Sequence, residues 1–160
     1  MNNEEHYLSD AIDVIEEVLA SGGEFRLFPK GTSMLPLLVQ GKDSVVLKRS
    51  HAPWLKKHDI AFYRRTNGQF VLHRVMKIEK NGTYTMCGDN QLVLETGILP
   101  QQIIGYVSEI YKEEKPRSLS SLRYRSYVFF WTFMPYRKAV RFPRRVISVL
   151  KRKCLGSKQR

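Results

Sequence analysis

Between residues 24 and 112 the chain is cut into short runs by Asn-Gly and Gly-Asp turns, and its apolar patterning has period two. A two-residue repeat is that of a strand, because successive side chains leave opposite faces. Phe25 and Leu27 run toward Pro29, and Asp43–Lys48 and Asp59–Arg64 follow. Gln69–Glu79 is the longest run, and Thr83–Cys87 and Ile103–Lys112 complete the set. Thr66-Asn67-Gly68 and Asn81-Gly82 are hairpin signals, since Asn and Gly accept the positive φ of tight connections. A chain divided this way is expected to form a mainly β body.

The flanks differ from this body. Leu8, Ile12, Ile15, Val18 and Leu19 recur at helical spacing, and Gly22-Gly23 supplies a stop, so residues 7–20 predict an amphipathic helix. The character changes again at Lys115-Pro116. Residues 1–114 hold 13 basic and 15 acidic side chains, whereas residues 115–160 hold 14 basic and none acidic. The expected organisation is therefore an N-terminal helix (1–23), a β domain (24–114) and a basic aromatic tail (115–160). In the tail, Pro143 predicts a last helix with Val146, Ile147, Leu150 and Cys154 on one face. A segment of this charge is expected to meet a polyanion. The apolar run Phe129-Phe130-Trp131-Thr132-Phe133-Met134 favours an anionic membrane surface over nucleic acid, which is not an expected partner.

The longest uncharged apolar run, Ser126 to Tyr136, is 11 residues, against the roughly 20 that span a bilayer. The acidic N-terminus lacks the apolar core of a secretion signal, so the expected location is cytoplasmic, at the periphery of the membrane. Cys87 and Cys154 lie 67 residues apart without metal-ligand spacing, so a disulfide scaffold is not expected, and the activity read below implies no metal or organic cofactor.

Four residues stand out for chemistry. Ser33, in Gly31-Thr32-Ser33-Met34-Leu35-Pro36, sits on a turn that suits a nucleophile as well as a plain solvated serine. His73 shares a strand face with Val71 and Val75, and a neutral imidazole there is either a satisfied core histidine or a base. Asp89, in Gly88-Asp89-Asn90, and Glu95 are carboxylates that could orient that imidazole; Asp89, directly after a strand, is slightly preferred. Lys77 on the same strand makes a Ser–Lys dyad the rival arrangement, with Lys48 a further candidate base.

Gly31–Pro36, Gly41–Val46, His58–Phe62, Val71–Val75, Cys87–Asn90 and Ile103–Val107 occur in one order that resembles the signal peptidase I family, within the LexA/signal peptidase clan of serine peptidases. The His73-Arg74-Val75 string resembles the endoplasmic-reticulum and sporulation branch, in which histidine replaces lysine. The resemblance spans about residues 25–110. It implies a coiled antiparallel β body, Ser33 as nucleophile, His73 as general base, and Asp89 with Glu95 as the carboxylates. Glu95 stands where that branch has an aspartate. Gly31 stands where the family often has an oxyanion-hole serine, which leaves the N–H groups of Ser33 and Thr32 for that task. The implied activity is endoproteolysis of a leader or signal-like peptide. The alternatives are a peptide-binding accessory protein with little turnover, and a LexA-like regulator.

Overall fold

The structure, a computed structural model, describes residues 3–49, 55–137 and 139, with backbone alone for residues 3–11. Eight strands form one antiparallel sheet: β1 (Glu24–Leu27), β2 (Asp43–Lys48), β3 (Ile60–Arg64), β4 (Phe70–Ile78), β5 (Tyr84–Cys87), β6 (Glu95–Ile98), β7 (Ile103–Lys112) and β8 (Lys115–Arg117). Across the sheet they run β1-β2-β7-β3-β4-β5-β6, and β8 pairs with the end of β7. The body is thus mainly β, and the six runs read from period two are all strands. β6 and β8 were not expected: Glu95-Thr-Gly-Ile is short and carries a glycine, and Pro116 breaks the strand pattern of β8, which is tolerated at an edge.

The sheet is buried on both faces along β3. Ile60 and Phe62 join one apolar cluster with Val45, Leu47, Leu72 and Val107, which the helix α1 (Asn3–Ala20) covers through Ile12, Ile15 and Leu19. Ala61 and Tyr63 point the other way, into a second cluster with Val75, Tyr84, Met86 and Ile98. At the end of α1, Gly22 takes φ +83° and the Gly23 N–H returns to Val18 O at 2.9 Å, a termination that needs glycine.

The β3–β4 hairpin fixes the register that matters for the site. Arg65 N–H donates to Gln69 O at 2.8 Å, and Arg64 pairs with Phe70. Counting back from this turn sets Ala61 opposite His73 and Tyr63 one diagonal step away. A bulge between Val75 and Lys77 ends the regular alternation.

The tail is joined to the body more closely than a boundary at residue 114 implies. β8 extends the sheet, and a second helix, α2 (Leu122–Thr132), capped by Ser121 Oγ on Tyr124 N–H, turns Val128 and Trp131 inward. Leu122, Phe129, Phe130 and Phe133 remain exposed, Phe129 at 72%. Among the described residues no helix is long and apolar enough to cross a membrane. The helix predicted after Pro143 lies outside the described residues.

Candidate active site

His73 enters the site from the middle of β4 with 1% of its surface exposed. Its Nδ1 lies 3.1 Å from Tyr63 Oη and 3.2 Å from Glu95 Oε1. Tyr63 has one hydroxyl proton and donates it to Glu95 Oε2 at 2.9 Å. Its oxygen is therefore the acceptor for His73, so the imidazole proton sits on Nδ1 and the Nε2 lone pair is free. Arg65 holds the carboxylate from behind: Nε donates to Oε2 at 2.8 Å and Nη2 pairs with Oε1. Arg65, Glu95, Tyr63 and His73 form one chain of contacts that selects a tautomer.

The charge states follow from the same surroundings. Burial pushes the His73 pKa down, and the pull of Glu95 in the other direction does not cancel it. Burial works against the Glu95 carboxylate, yet hydrogen bonds from Arg65 and Tyr63 outweigh it and hold its pKa below the usual value. Burial and then Glu95 drive the Tyr63 phenol far upward, so it stays a donor. Near neutral pH the arrangement is a neutral imidazole backed by a carboxylate, the state a general base requires.

The other edge of the ring faces the Ser33 turn across Gly88. A Cβ on Gly88 would fall 2.7 Å from Ser33 O and 3.1 Å from His73 Cδ2, which leaves no room for any side chain there. Ser33 O and His73 Cδ2 thus lie on either side of Gly88, no more than those two contacts apart. The turn after β5 is stitched to the serine turn: Asn90 N–H donates to Ser33 O at 2.6 Å and Asn90 Nδ2 to Thr32 O at 3.0 Å. The N–H groups of Thr32 and Ser33 donate to nothing among the described residues. Gly31 N–H is committed to Gln40 Oε1 at 2.6 Å.

Asp89 is elsewhere. Fully buried, it accepts from Arg74 Nε at 2.8 Å, Arg74 Nη2 at 2.7 Å and Tyr127 Oη at 2.8 Å. The structure therefore brings Glu95 to His73 and gives the sequence-preferred Asp89 to Arg74. The reason is strand alternation: Arg74 points opposite to His73 and takes the carboxylate on its own side. Lys77 is exposed and pairs with Glu79 at 2.5 Å, and Lys48 pairs with Glu24 of β1 at 2.6 Å. Neither joins Ser33. Tyr63 and Arg65, missed from the sequence, were recoverable by counting out from the Thr66-Asn67-Gly68 turn.

Ser33 lines an apolar cleft of about 410 Å³. The segment Phe28–Gly31, residues Phe70–Leu72 of β4, and Ile12 and Ile15 of α1 line it. Strand β5 pairs with β4 only from Arg74 onward, so among the described residues the flank of β4 over residues 70–72 carries no strand. An open strand flank beside an apolar slot has the form of a site for an extended peptide. Among the described residues no group of His, Cys, Asp or Glu side chains is placed to hold a metal ion.

No family model matches the chain, and neither the curated proteins nor the solved structures give a match.

Proposed function

We propose that the protein is a serine endopeptidase of the signal peptidase type, built on a LexA/signal-peptidase-like β body. The observation that carries this reading is the Glu95–Tyr63–His73 chain, which puts the imidazole proton on Nδ1, together with Gly88 packed between His73 Cδ2 and Ser33 O. His73 Nε2 accepts the Ser33 proton as Oγ attacks a peptide carbonyl, and the imidazolium then returns that proton to the leaving amine. Glu95 stabilises the imidazolium. The Ser33 and Thr32 N–H groups receive the oxyanion. The substrate lies extended between Phe28–Gly31 and Phe70–Leu72.

The rate of fluorophosphonate labelling against pH tests the base. Only neutral His73 can accept a proton, and its pKa is depressed. Labelling should climb with pH through a midpoint below the ordinary imidazole value of about 6.5 and then level. A profile still climbing beyond pH of about 9, retained in His73→Ala and lost in Lys77→Ala, would establish a lysine base instead. A second reading, peptide binding without turnover, is favoured by one observation: Ser33 Oγ makes no hydrogen bond to His73 among the described residues. Catalytic bonds often tighten only with substrate bound, and labelling separates the two readings.

The location proposed is the periphery of an anionic membrane. Exposed Leu122, Phe129 and Phe130 on α2 and Phe133 at its C-terminal end, in a segment with 14 basic and no acidic residues over 115–160, support it. Each cation near such a surface contributes about 1 kcal/mol, and the aromatics add an apolar term. The full-length chain should pellet with anionic liposomes, release as salt rises, and bind neutral liposomes less. A chain that stays in the supernatant at low salt, or that prefers duplex DNA, contradicts this location.

A further inference from the structure

The turn that separates Ser33 from His73 is held from behind by Trp131 of α2 and by Arg137. Trp131 Nε1 donates to Asp89 O at 2.7 Å. Arg137 Nη1 donates to Gly88 O at 3.0 Å and to Gln91 O at 2.8 Å, while its Nε donates to Trp131 O at 2.9 Å. The Tyr127 ring stacks on Trp131 with centroids 5.7 Å apart. On its opposite flank the same turn carries Asn90, bonded to Ser33 O and Thr32 O, and Gly88, packed against Ser33 and the imidazole. The turn is a wedge with α2 and Arg137 on one side and the serine turn on the other.

Arg137 is fully buried, and its Nη2 has no hydrogen-bond partner among the described residues. Burying a guanidinium with a donor unspent is unfavourable, and an apolar side chain would fill the same space at less cost. What the guanidinium does that an apolar group cannot is donate to the carbonyls of this turn. Gly88 adds a second constraint, because a backbone packed this tightly against Ser33 passes on any shift of the turn.

We propose that Trp131 and Arg137 are positioning residues for Ser33, acting through the Gly88–Gln91 turn. This rests on the peptidase reading of the site. A displacement of about 1 Å in a reacting group is enough to cost roughly 10²-fold in rate.

The test uses full-length wild type, Trp131→Phe, Arg137→Met and Arg137→Lys. Trp131→Phe keeps a ring in place and removes one donor, so it tests the idea even if Arg137→Met does not fold. Fluorophosphonate labelling is resolved into reversible affinity KI and the bond-forming step kinact, and the Asn90 amide exchange rate is read by NMR. Expected are a fall in kinact of about 10- to 100-fold in Trp131→Phe and Arg137→Met, partial recovery in Arg137→Lys, KI within about twofold, and faster Asn90 exchange. The pH midpoint should not move, because the Glu95–His73 pair is untouched. Folded Trp131→Phe with kinact within about twofold of wild type overturns the positioning role, as does a loss that only tracks Tm. A wild-type chain that is not labelled at Ser33 instead overturns the peptidase reading, and the positioning role with it.

Discussion

Glu95→Gln is expected to lower the acylation rate about 10⁴-fold while the fold persists. Arg65 Nε and the Tyr63 hydroxyl both donate to the Oε2 position and Arg65 Nη2 alone of these donors to Oε1, so the amide oxygen of Gln keeps more donors at Oε2. The amide NH₂ then falls at the Oε1 position, 3.2 Å from His73 Nδ1 in the wild type. A donor facing Nδ1 demands that Nδ1 accept, which moves the imidazole proton to Nε2 and removes the base. Arg65 and Glu95 are both partly exposed, so losing their ion pair costs about 1 kcal/mol and lowers Tm by no more than about 4 °C. Stopped-flow labelling and thermal melts on the same sample read both effects. Near-wild-type labelling in Glu95→Gln would mean that the carboxylate does not set the tautomer.

Asp89→Asn should do the reverse. Arg74 and Asp89 are both fully buried and paired through two hydrogen bonds. Burial alone would lower the pKa of the guanidinium, but the carboxylate more than compensates and keeps it firmly charged. Neutralising Asp89 strands that charge in the interior, at about 3–5 kcal/mol. For a chain of this size Tm should fall by roughly 10 °C or more. At low temperature the folded variant should keep its labelling, with a pH midpoint moved only slightly downward, because Asp89 raises the His73 pKa through charge while Glu95 stays in place. An unchanged Tm together with lost labelling would return Asp89 to the orienting role.

The strands were legible where turn chemistry and period two agreed. Asp43–Lys48 and Ile103–Lys112 fall where the patterning set them. β6 was not, because a four-residue strand containing glycine takes its structure from pairing with β5 rather than from its own preferences. Ser33 and His73 could be picked out by residue type and setting. Choosing between Asp89 and Glu95 could not be done from spacing, because the choice depends on which face of β4 each carboxylate reaches. His73 and Arg74 are adjacent in sequence yet take different carboxylates for that reason alone. Least legible was the role of the tail. Arg137 is one cation among many in a basic segment, and nothing local to it signals that it is buried against the Gly88 turn. Charge patterning reports the solvated average of such a segment and misses the single residue that packs inward.

Peptide mapping of the fluorophosphonate adduct tests the central claim most directly. An activated serine is modified far faster than a solvated one, and activation needs the neighbouring base. The account predicts a single adduct on Ser33 in wild type, none in Ser33→Ala, and none above background in His73→Ala, with Lys77→Ala labelled like wild type. Labelling that misses Ser33, or that proceeds equally well without His73, would contradict it.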